Sequence, residues 1–339
     1  MKLHVWFISI RAGSGTDRFV ERLAAGLEAL GVRCTTTWLQ ARAELLPWLE
    51  KAPENPGQVD IVHVNTWLHP RFLPEGIPVV ATAHLCVHGE EYRRYKSVAE
   101  SIYHRFRVKP IERRILSRAS TTVAVSRFTA EQYRKAFGIG AKVIYNGIDT
   151  GVFSPGSDGK PDGEFTLLFV GNLSRRKGAD LLEPVMRRLG KGFRLVVASG
   201  LRKLPSGILL PEGSVLVRDC NTDEDMARVY RMADALLFPS RLEGLPFAVQ
   251  EAMACGLPVI GSRIPSLVEA LGEEQPSGIL CDTDDVEQFA NAARFLAEHS
   301  EEASRLGRLA RGRAERMFGL RRMAEEYLET YVEAAEKGD

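Results

Sequence analysis

Cysteine is scarce in this chain of 339 residues: five in all, at Cys34, Cys86, Cys220, Cys255 and Cys281, an odd number with no CxxC pair. That pattern excludes a disulfide framework or a thiolate metal site, and reads as reduced, partly buried thiols of a cytoplasmic protein. Long apolar runs are missing too. No window approaches the roughly 18 uninterrupted apolar residues of a transmembrane helix, so none is expected. The opening MKLHVWFISI passes directly into Arg11 and a glycine loop, without the apolar run and cleavage site of a signal peptide. Charge of one sign is not in excess either. Lys+Arg number 45 against 44 Asp+Glu, a net +1, which argues against a dedicated nucleic-acid binder. What is present, 45% hydrophobic and 26% charged, supplies enough apolar material to exclude disorder as the dominant state. The length suits two ordinary domains or one large α/β unit.

The near-zero net charge conceals an asymmetry. Residues 1–155 hold 21 Lys+Arg and 14 Asp+Glu, residues 156–339 hold 24 and 30. Much of the excess lies in 91–118, EYRRYKSVAESIYHRFRVKPIERRILSR, with nine basic and three acidic residues. Tyr92, Tyr95, Ile102, Tyr103, Phe106, Val108, Ile111 and Ile115 are interleaved among them. Two readings stand side by side: a surface, including Arg93, Arg94, Arg113 and Arg114, that associates with anionic lipid headgroups without insertion, or a helical layer with snorkelling cations.

Along the chain, short β-rich runs alternate with helical stretches. LHVWFISI is followed by Arg11–Thr16 and the amphipathic DRFVERLAAGLEAL, which Gly31 stops. DIVHVN (60–65), IPVVATAH (77–84) and TTVAVS (121–126) are further strands, and Ser126 is placed to cap RFTAEQYRKAF. Runs of this kind describe a parallel sheet covered on both faces. The stretch 146–163, with five glycines and two prolines, interrupts the rhythm and marks a boundary. The same grammar then restarts with FTLLFVG, KGADLLEPVMRRL, FRLVVASG, SVLVRD, DEDMARVYRM, ALLFPS, AVQEAMAC and PVIGS. Two successive α/β units imply a cleft beyond the carboxyl ends of their strands. A last helix, 320–336, either finishes the second unit or returns to the first.

Three stretches carry chemistry. Gly13-Ser14-Gly15-Thr16 lies between a strand and a helix start, where free amides favour an anion, although neither GxGxxG nor a P-loop is complete. Gly171-Asn172-Leu173-Ser174-Arg175-Arg176-Lys177-Gly178 sets three consecutive cations between a strand end and a helix, an arrangement suited to a diphosphate in a cleft or to solvent on a convex surface. In PSRLEGLPFAVQEAMACGLPVIGS (239–262), Glu243 and Glu251 are eight apart, and Gly244 and Pro246 prevent one helix from carrying both. Glu243 therefore belongs to a loop and Glu251 to a helix beginning near Phe247. Carboxylates so placed could accept from the hydroxyls of a polyhydroxylated ligand.

These motifs, with VIYNGID (143–149), DALLFPS (234–240) and EGLPFAVQEAMACGLPVI (243–260), resemble the retaining glycosyltransferases of the group 1, or GT4, family. The likeness runs through most of the chain. It implies the GT-B fold, two Rossmann-like doubly wound domains facing an interdomain cleft, here 1–155 on the acceptor side and 156–318 on the nucleotide-sugar side, with 319–339 a C-terminal helix for which packing back on the first domain stays one of the two open placements. By that resemblance Glu251 accepts from ribose hydroxyls, Glu243 lies near the transferred sugar, and Gly244, Leu245 and Phe247 line the donor pocket. Lys177 matches the lysine on the diphosphate, Gly13 and Gly15 lie across the cleft from it, His84 touches the donor sugar, and Ser199-Gly200 is a turn beside the nucleotide. Asn172 departs from the arginine common at that position, which Arg176 or Arg175 would have to replace. Leu245-Pro246 departs from the usual aromatic–glycine step.

The expected activity is transfer of a sugar from a nucleoside diphosphate sugar, with UDP as the default, to a hydroxyl acceptor such as a lipid-linked or cell-envelope glycan. The rivals are a nucleotide-sugar epimerase or hydrolase, a non-catalytic sugar-nucleotide sensor suggested by Asn172, and a dinucleotide-dependent oxidoreductase. Neither cofactor nor metal is expected. His84 and His88 could share an ion only on a helix, and His84 ends a strand-like run.

Overall fold

A computed structural model describes residues 3–93, 95–156, 163–200, 207–218, 220 and 222–337. The chain divides into two compact units, Met1–Gly147 with Leu320–Asp339, and Ile148–Gly319.

The first unit is built on β1 His4–Ile10, α1 Gly15–Ala29, β2 Arg33–Leu39, β3 Ile61–Asn65, β4 Val79–Ala83, α2 Glu90–Arg93, α3 Val98–Tyr103, α4 Lys109–Arg118, β5 Thr121–Ala124, α5 Arg127–Phe137 and β6 Lys142–Val143. Its six strands are parallel in the order β2-β1-β3-β4-β5-β6. β1, β3 and β4 are almost wholly buried, which is why they read as unbroken apolar runs. The edge strand β2, RCTTTWL, is half-exposed and threonine-rich, and was not expected. Ser14 caps α1 and Ser126 caps α5, each side chain accepting from an amide of the first turn.

The second unit contains β7 Phe165–Val170, α6 Leu182–Leu189, β8 Phe193–Ala198, β9 Val215–Val217, α7 Asp223–Arg231, β10 Ala235–Phe238, α8 Phe247–Ala254, β11 Val259–Ser262, α9 Pro265–Leu271, β12 Gly278–Cys281, α10 Val286–Glu298 and α11 Ser300–Met317. Its parallel order is β12-β11-β10-β7-β8-β9. Leu167, Phe169, Leu195, Val197, Leu237 and Ile260 form the centre of its core. The boundary lies at 147/148, earlier than the expected 155/156. Residues after Gly147 join the second unit because Phe153 is fully buried, edge-on to Tyr230, and Arg231 and Arg311 donate to the carbonyls of Val152, Ser154, Thr150 and Phe153.

The last helix, α12 Leu320–Glu336, belongs to the first unit. Gly26 of α1 admits it closely, since a Cβ at Gly26 would stand 3.0 Å from the Ala324 Cβ. Buried Tyr331 bonds His63 Nδ1 at 2.5 Å, and Tyr327 bonds Thr82 at 2.9 Å, with Thr82 in turn 3.2 Å from His63 Nε2. Burial, with neighbouring His84 adding to it, pushes His63 down from 6.5 to about 3. Folded and unfolded states are then both neutral above pH 6.5, and the native state loses ground as pH falls from there toward 3. At pH 5 the loss from this one group is about 2 kcal/mol. Denaturation midpoints at pH 7.5 and pH 5 should therefore diverge less in His63→Asn than in the wild type. Equal divergence would sink the buried neutral imidazole.

Candidate functional site

In each sheet the strand order reverses once, between β1 and β3 in the first unit and between β7 and β10 in the second. Ligands of open α/β sheets bind beyond the carboxyl ends of the strands at such reversals. The second unit's conspicuous loops, 171–178 and 239–246, leave β7 and β10 at that point.

These loops are stitched together. The Arg241 amide donates to the Arg176 carbonyl at 2.8 Å, and the Ser240 hydroxyl to the same oxygen at 3.2 Å. The buried Arg241 guanidinium donates to both Asp180 oxygens at 2.6 and 2.9 Å and to Asp284 at 2.6 Å. Gly178 lies so near Pro239 that a Cβ there would fall 2.0 Å from its carbonyl oxygen. Ser240 and Arg241 had no assigned role in the sequence. Their only signal was membership of the PSRLEG stretch.

The consequence is a convergence on one oxygen. Glu243 Oε1 accepts from Ser240 Oγ at 2.6 Å, Lys177 Nζ at 2.7 Å and Arg176 Nη1 at 3.2 Å, while Arg176 also donates to the Leu242 carbonyl at 2.8 Å. Burial would raise the Glu243 pKa, but Lys177 and then Arg176 outweigh it and hold the carboxyl below its ordinary value. Burial also pushes the Lys177 ammonium down, against Glu243 and with Arg176. The three consecutive cations thus part company. Arg175 points to solvent with 82% of its side chain exposed, whereas Arg176 and Lys177 turn inward to Glu243. Asn172 is exposed.

Glu251 occupies α8, apart from Glu243 in the loop, as Gly244 and Pro246 require. It is buried and accepts from the Tyr230 hydroxyl of α7 at 2.8 Å. Gly244 and Leu245 are buried, and Phe247 is half-buried at the start of the helix. Ser199 follows β8, its amide donating to the Val217 carbonyl, and Gly200 beyond it is exposed. An open cavity of about 630 Å³ in the same unit, lined by residues including Arg263, Ile279, Phe295 and Arg305, contains none of these side chains.

In the first unit, Gly13 lies in the loop after β1 and Gly15 begins α1. The loop amides are not all free as expected, because the buried Asp17 carboxylate accepts from Gly13 N at 2.7 Å and Ala12 N at 3.0 Å. His84 follows β4, its ring edge-on to Phe19 at 4.6 Å. Burial lowers its pKa from 6.5 to about 4, so the imidazole is neutral at pH 7. Neither ring nitrogen is hydrogen-bonded among the described residues. His88 turns instead to the fully buried Glu112, 2.5 Å away, whose other oxygen accepts from Thr66, Trp67 and Tyr133. Among the described residues no group of three or more His, Cys, Asp or Glu could hold a metal.

Two family models match the sequence: Glycosyl transferases group 1 over residues 153–313, and Glycosyltransferase Family 4 over residues 37–152. A D-inositol 3-phosphate glycosyltransferase of Saccharomonospora viridis is 29% identical over 84% of this chain and 72% of its own length. The enzyme of that name from Segniliparus rotundus is 31% identical over 65% of this chain and 52% of its own. The chain thus spans between about half and three quarters of the length of these relatives. Among solved structures, sucrose-phosphate synthase from Thermosynechococcus elongatus superposes with a TM-score of 0.81 at 20% identity, covering 98% of each chain. Anabaena HepE in complex with UDP and glucose gives 0.75 at 17% identity, over 98% of this chain and 100% of that one. With both halves of the sequence matched and the fold shared, the chain is a GT-B fold glycosyltransferase related to the group 1, or family 4, enzymes, which move a sugar from a nucleoside diphosphate sugar to an acceptor.

Proposed function

We propose that this chain transfers a hexosyl or related sugar from a nucleoside diphosphate sugar to a hydroxyl group, with retention of anomeric configuration. The observation that carries the reading is the convergence of Arg176 and Lys177 on Glu243 at the sheet's reversal point. A buried carboxylate keeps two cations aimed at one place. A donor diphosphate set there would meet charge already oriented, where negative charge grows as the glycosidic C–O bond breaks. The incoming hydroxyl oxygen would bond to the anomeric carbon on the face the phosphate leaves, its proton passing to the departing phosphate oxygen. Glu251 would accept from the ribose hydroxyls, with Ser199 and Gly200 beside the nucleotide and Gly244, Leu245 and Phe247 around the donor. Gly13 and Gly15 would lie toward the diphosphate, and neutral His84 would bond the sugar. Asn172 leaves the inward-turned cation to Arg176.

The complex of the Anabaena protein with UDP and glucose supports UDP-glucose as the first donor to test, and the D-inositol 3-phosphate glycosyltransferases among the relatives support a phosphorylated polyol among the acceptors. The reading also includes a cytoplasmic location with peripheral contact to an anionic membrane through 91–118, which would suit a lipid-linked or cell-envelope glycan. Ile102 and Phe106 are exposed in that segment, whereas Tyr92, Val108 and Ile115 are buried. Arg94 lies outside the described residues, and no described helix is long and apolar enough to cross a membrane.

UDP-, GDP- and ADP-sugars should be offered with and without hydroxyl acceptors, and products identified by mass spectrometry. A glycoside of retained configuration is expected. Donor conversion that needs no acceptor would establish the hydrolase or epimerase instead, and tight donor binding without turnover the sensor. Glu251→Ala should weaken nucleoside diphosphate binding about tenfold to a hundredfold, the range of a hydrogen bond to a charged acceptor. Calorimetry giving wild-type affinity would remove Glu251 from the ribose.

A further inference from the structure

We propose that residues 45–49 and 98–107 form one bilayer-docking face, in which apolar side chains enter the headgroup region of an anionic membrane between flanking arginines. The inference rests on the peripheral-membrane reading but adds a segment outside 91–118 and a different force, apolar partitioning in place of charge alone.

Two distant stretches of sequence meet here. The Tyr103 hydroxyl donates to Glu44 Oε1 at 2.8 Å, and Arg107 Nη2 donates to the carbonyls of Glu44 and Leu45 at 3.0 and 2.7 Å. The Arg107 guanidinium also stands 5.8 Å from the Trp48 ring centre, and Arg71 donates to the Pro47 carbonyl. Large apolar side chains remain uncovered on both stretches: Leu45 is 56% exposed, Trp48 61%, Leu49 60%, Val98 78%, Ile102 55% and Phe106 71%. α3 has no buried residue at all, although a capping box at Ser97 and Glu100 fixes its start. A helix that covers no core gains nothing from apolar residues unless something outside the chain covers them.

The charges identify that cover. Arg71, Arg105, Arg107, Lys109, Arg113 and Arg114 form no ion pair among the described residues; Arg71 and Arg107 spend their donors on neutral carbonyls. Burial first, then Arg107, Arg71 and Arg114 close by, lower the pKa of His69. Of the neighbouring acids, Glu50 pairs with Arg42, Glu54 with Lys51 and Glu112 with His88, while Glu44 and Glu100 bond only the neutral Tyr103 and Ser97, so the cations outnumber the acids left without one. Uncompensated cations around a tryptophan, a phenylalanine and aliphatic residues match an anionic interface, which attracts the first and receives the second. A second copy of the chain would bring the same cations face to face in a two-fold contact.

The test uses the full chain and vesicles of phosphatidylcholine with phosphatidylserine. Trp48→Ala/Phe106→Ala should lower partitioning at least about tenfold at both low and high salt, since each aromatic loses its apolar transfer contribution. Arg113→Glu/Arg114→Glu should lower it mainly at low salt. Brominated acyl chains should quench tryptophan emission in the wild type and much less in Trp48→Phe, a readout that does not depend on how well the double variant folds. If the wild type binds vesicles while the aromatic variants match it and quenching is unchanged, the apolar face is overturned and contact by charge survives. If the wild type stays in the supernatant even at low salt, both fall. A dimer in gel filtration that the aromatic double variant abolishes would assign the face to a second copy and overturn the proposal.

Discussion

Replacing Lys177 by alanine is expected to lower the transfer rate by about two to three orders of magnitude, the usual cost of removing one preorganised group aimed at developing charge. Nucleoside diphosphate affinity should fall less, because the side chain's target gains charge only as the bond breaks. Collapse of the site is not the expected cause. Glu243 Oε1 would keep Ser240 at 2.6 Å and Arg176 at 3.2 Å, so the carboxylate remains bonded. Single-turnover transfer and product affinity, measured on the same protein, separate the two contributions. Equal losses in both would make Lys177 a plain binding residue, and wild-type values in both would remove it from the diphosphate. The wild-type enzyme should carry a companion signature. Burial lowers the Lys177 ammonium from its ordinary 10.5, so the rate should fall on the basic side before an exposed lysine would lose its proton, and that limb should vanish in Lys177→Ala.

A methyl group at Gly178 should be more damaging to the fold than its size suggests. Gly178 has φ 70°, and a Cβ would stand 2.0 Å from the Pro239 carbonyl oxygen, a backbone atom that cannot rotate away. Left-handed backbone costs alanine about 1–2 kcal/mol and overpacking about 1–3 more, so Gly178→Ala should lose roughly 2–5 kcal/mol. Gly138 supplies the control. Its φ is 73°, it ends α5, and a Cβ there meets nothing within 4 Å. Gly138→Ala should therefore lose only the conformational part. Matching denaturation midpoints for the two variants would show that the Gly178–Pro239 approach relaxes without cost. Because Ser240 and Arg241 both bond the Arg176 carbonyl beside that contact, transfer in Gly178→Ala should fall even at temperatures where the protein stays folded.

The parts legible in the sequence were those set by local chemistry. β1, β3, β4, β7 and β10 showed as short apolar runs because both faces are buried. The separation of Glu243 from Glu251 followed from Gly244 and Pro246, neither of which continues a helix. Ser126 announced a cap by preceding RFTAEQYRKAF. β2 escaped notice because a half-exposed edge strand of three threonines has neither an apolar run nor strict alternation. The resemblance brought Lys177 and Glu243 to the same donor, but their ion pair was not legible in the residues. It arises because β7 and β10 are neighbours in the sheet while two strands and two helices separate them in sequence. Asp17 was equally silent, since a helix-start acid has many uses besides bonding the loop amides before it. The apolar residues at 45–49 had no period to betray them, because single 3₁₀ turns are too short to have one.

The return of α12 to the first unit has a consequence for how the chain is made. The Ile148 amide bonds the Phe318 carbonyl at 2.8 Å and Ile148 bridges to Gly319, so the second unit begins and ends at one spot and is contiguous in sequence. A ribosome delivers it whole. The first unit instead emerges without the helix that brings Tyr327 and Tyr331 to Thr82 and His63. At translation speeds of about 5–20 residues per second, Ile148–Gly319 keeps that helix away for about 10–30 s. During that interval the nascent chain presents the α1 surface around Gly26 without the helix that packs on it. The domain synthesised first is the one completed last.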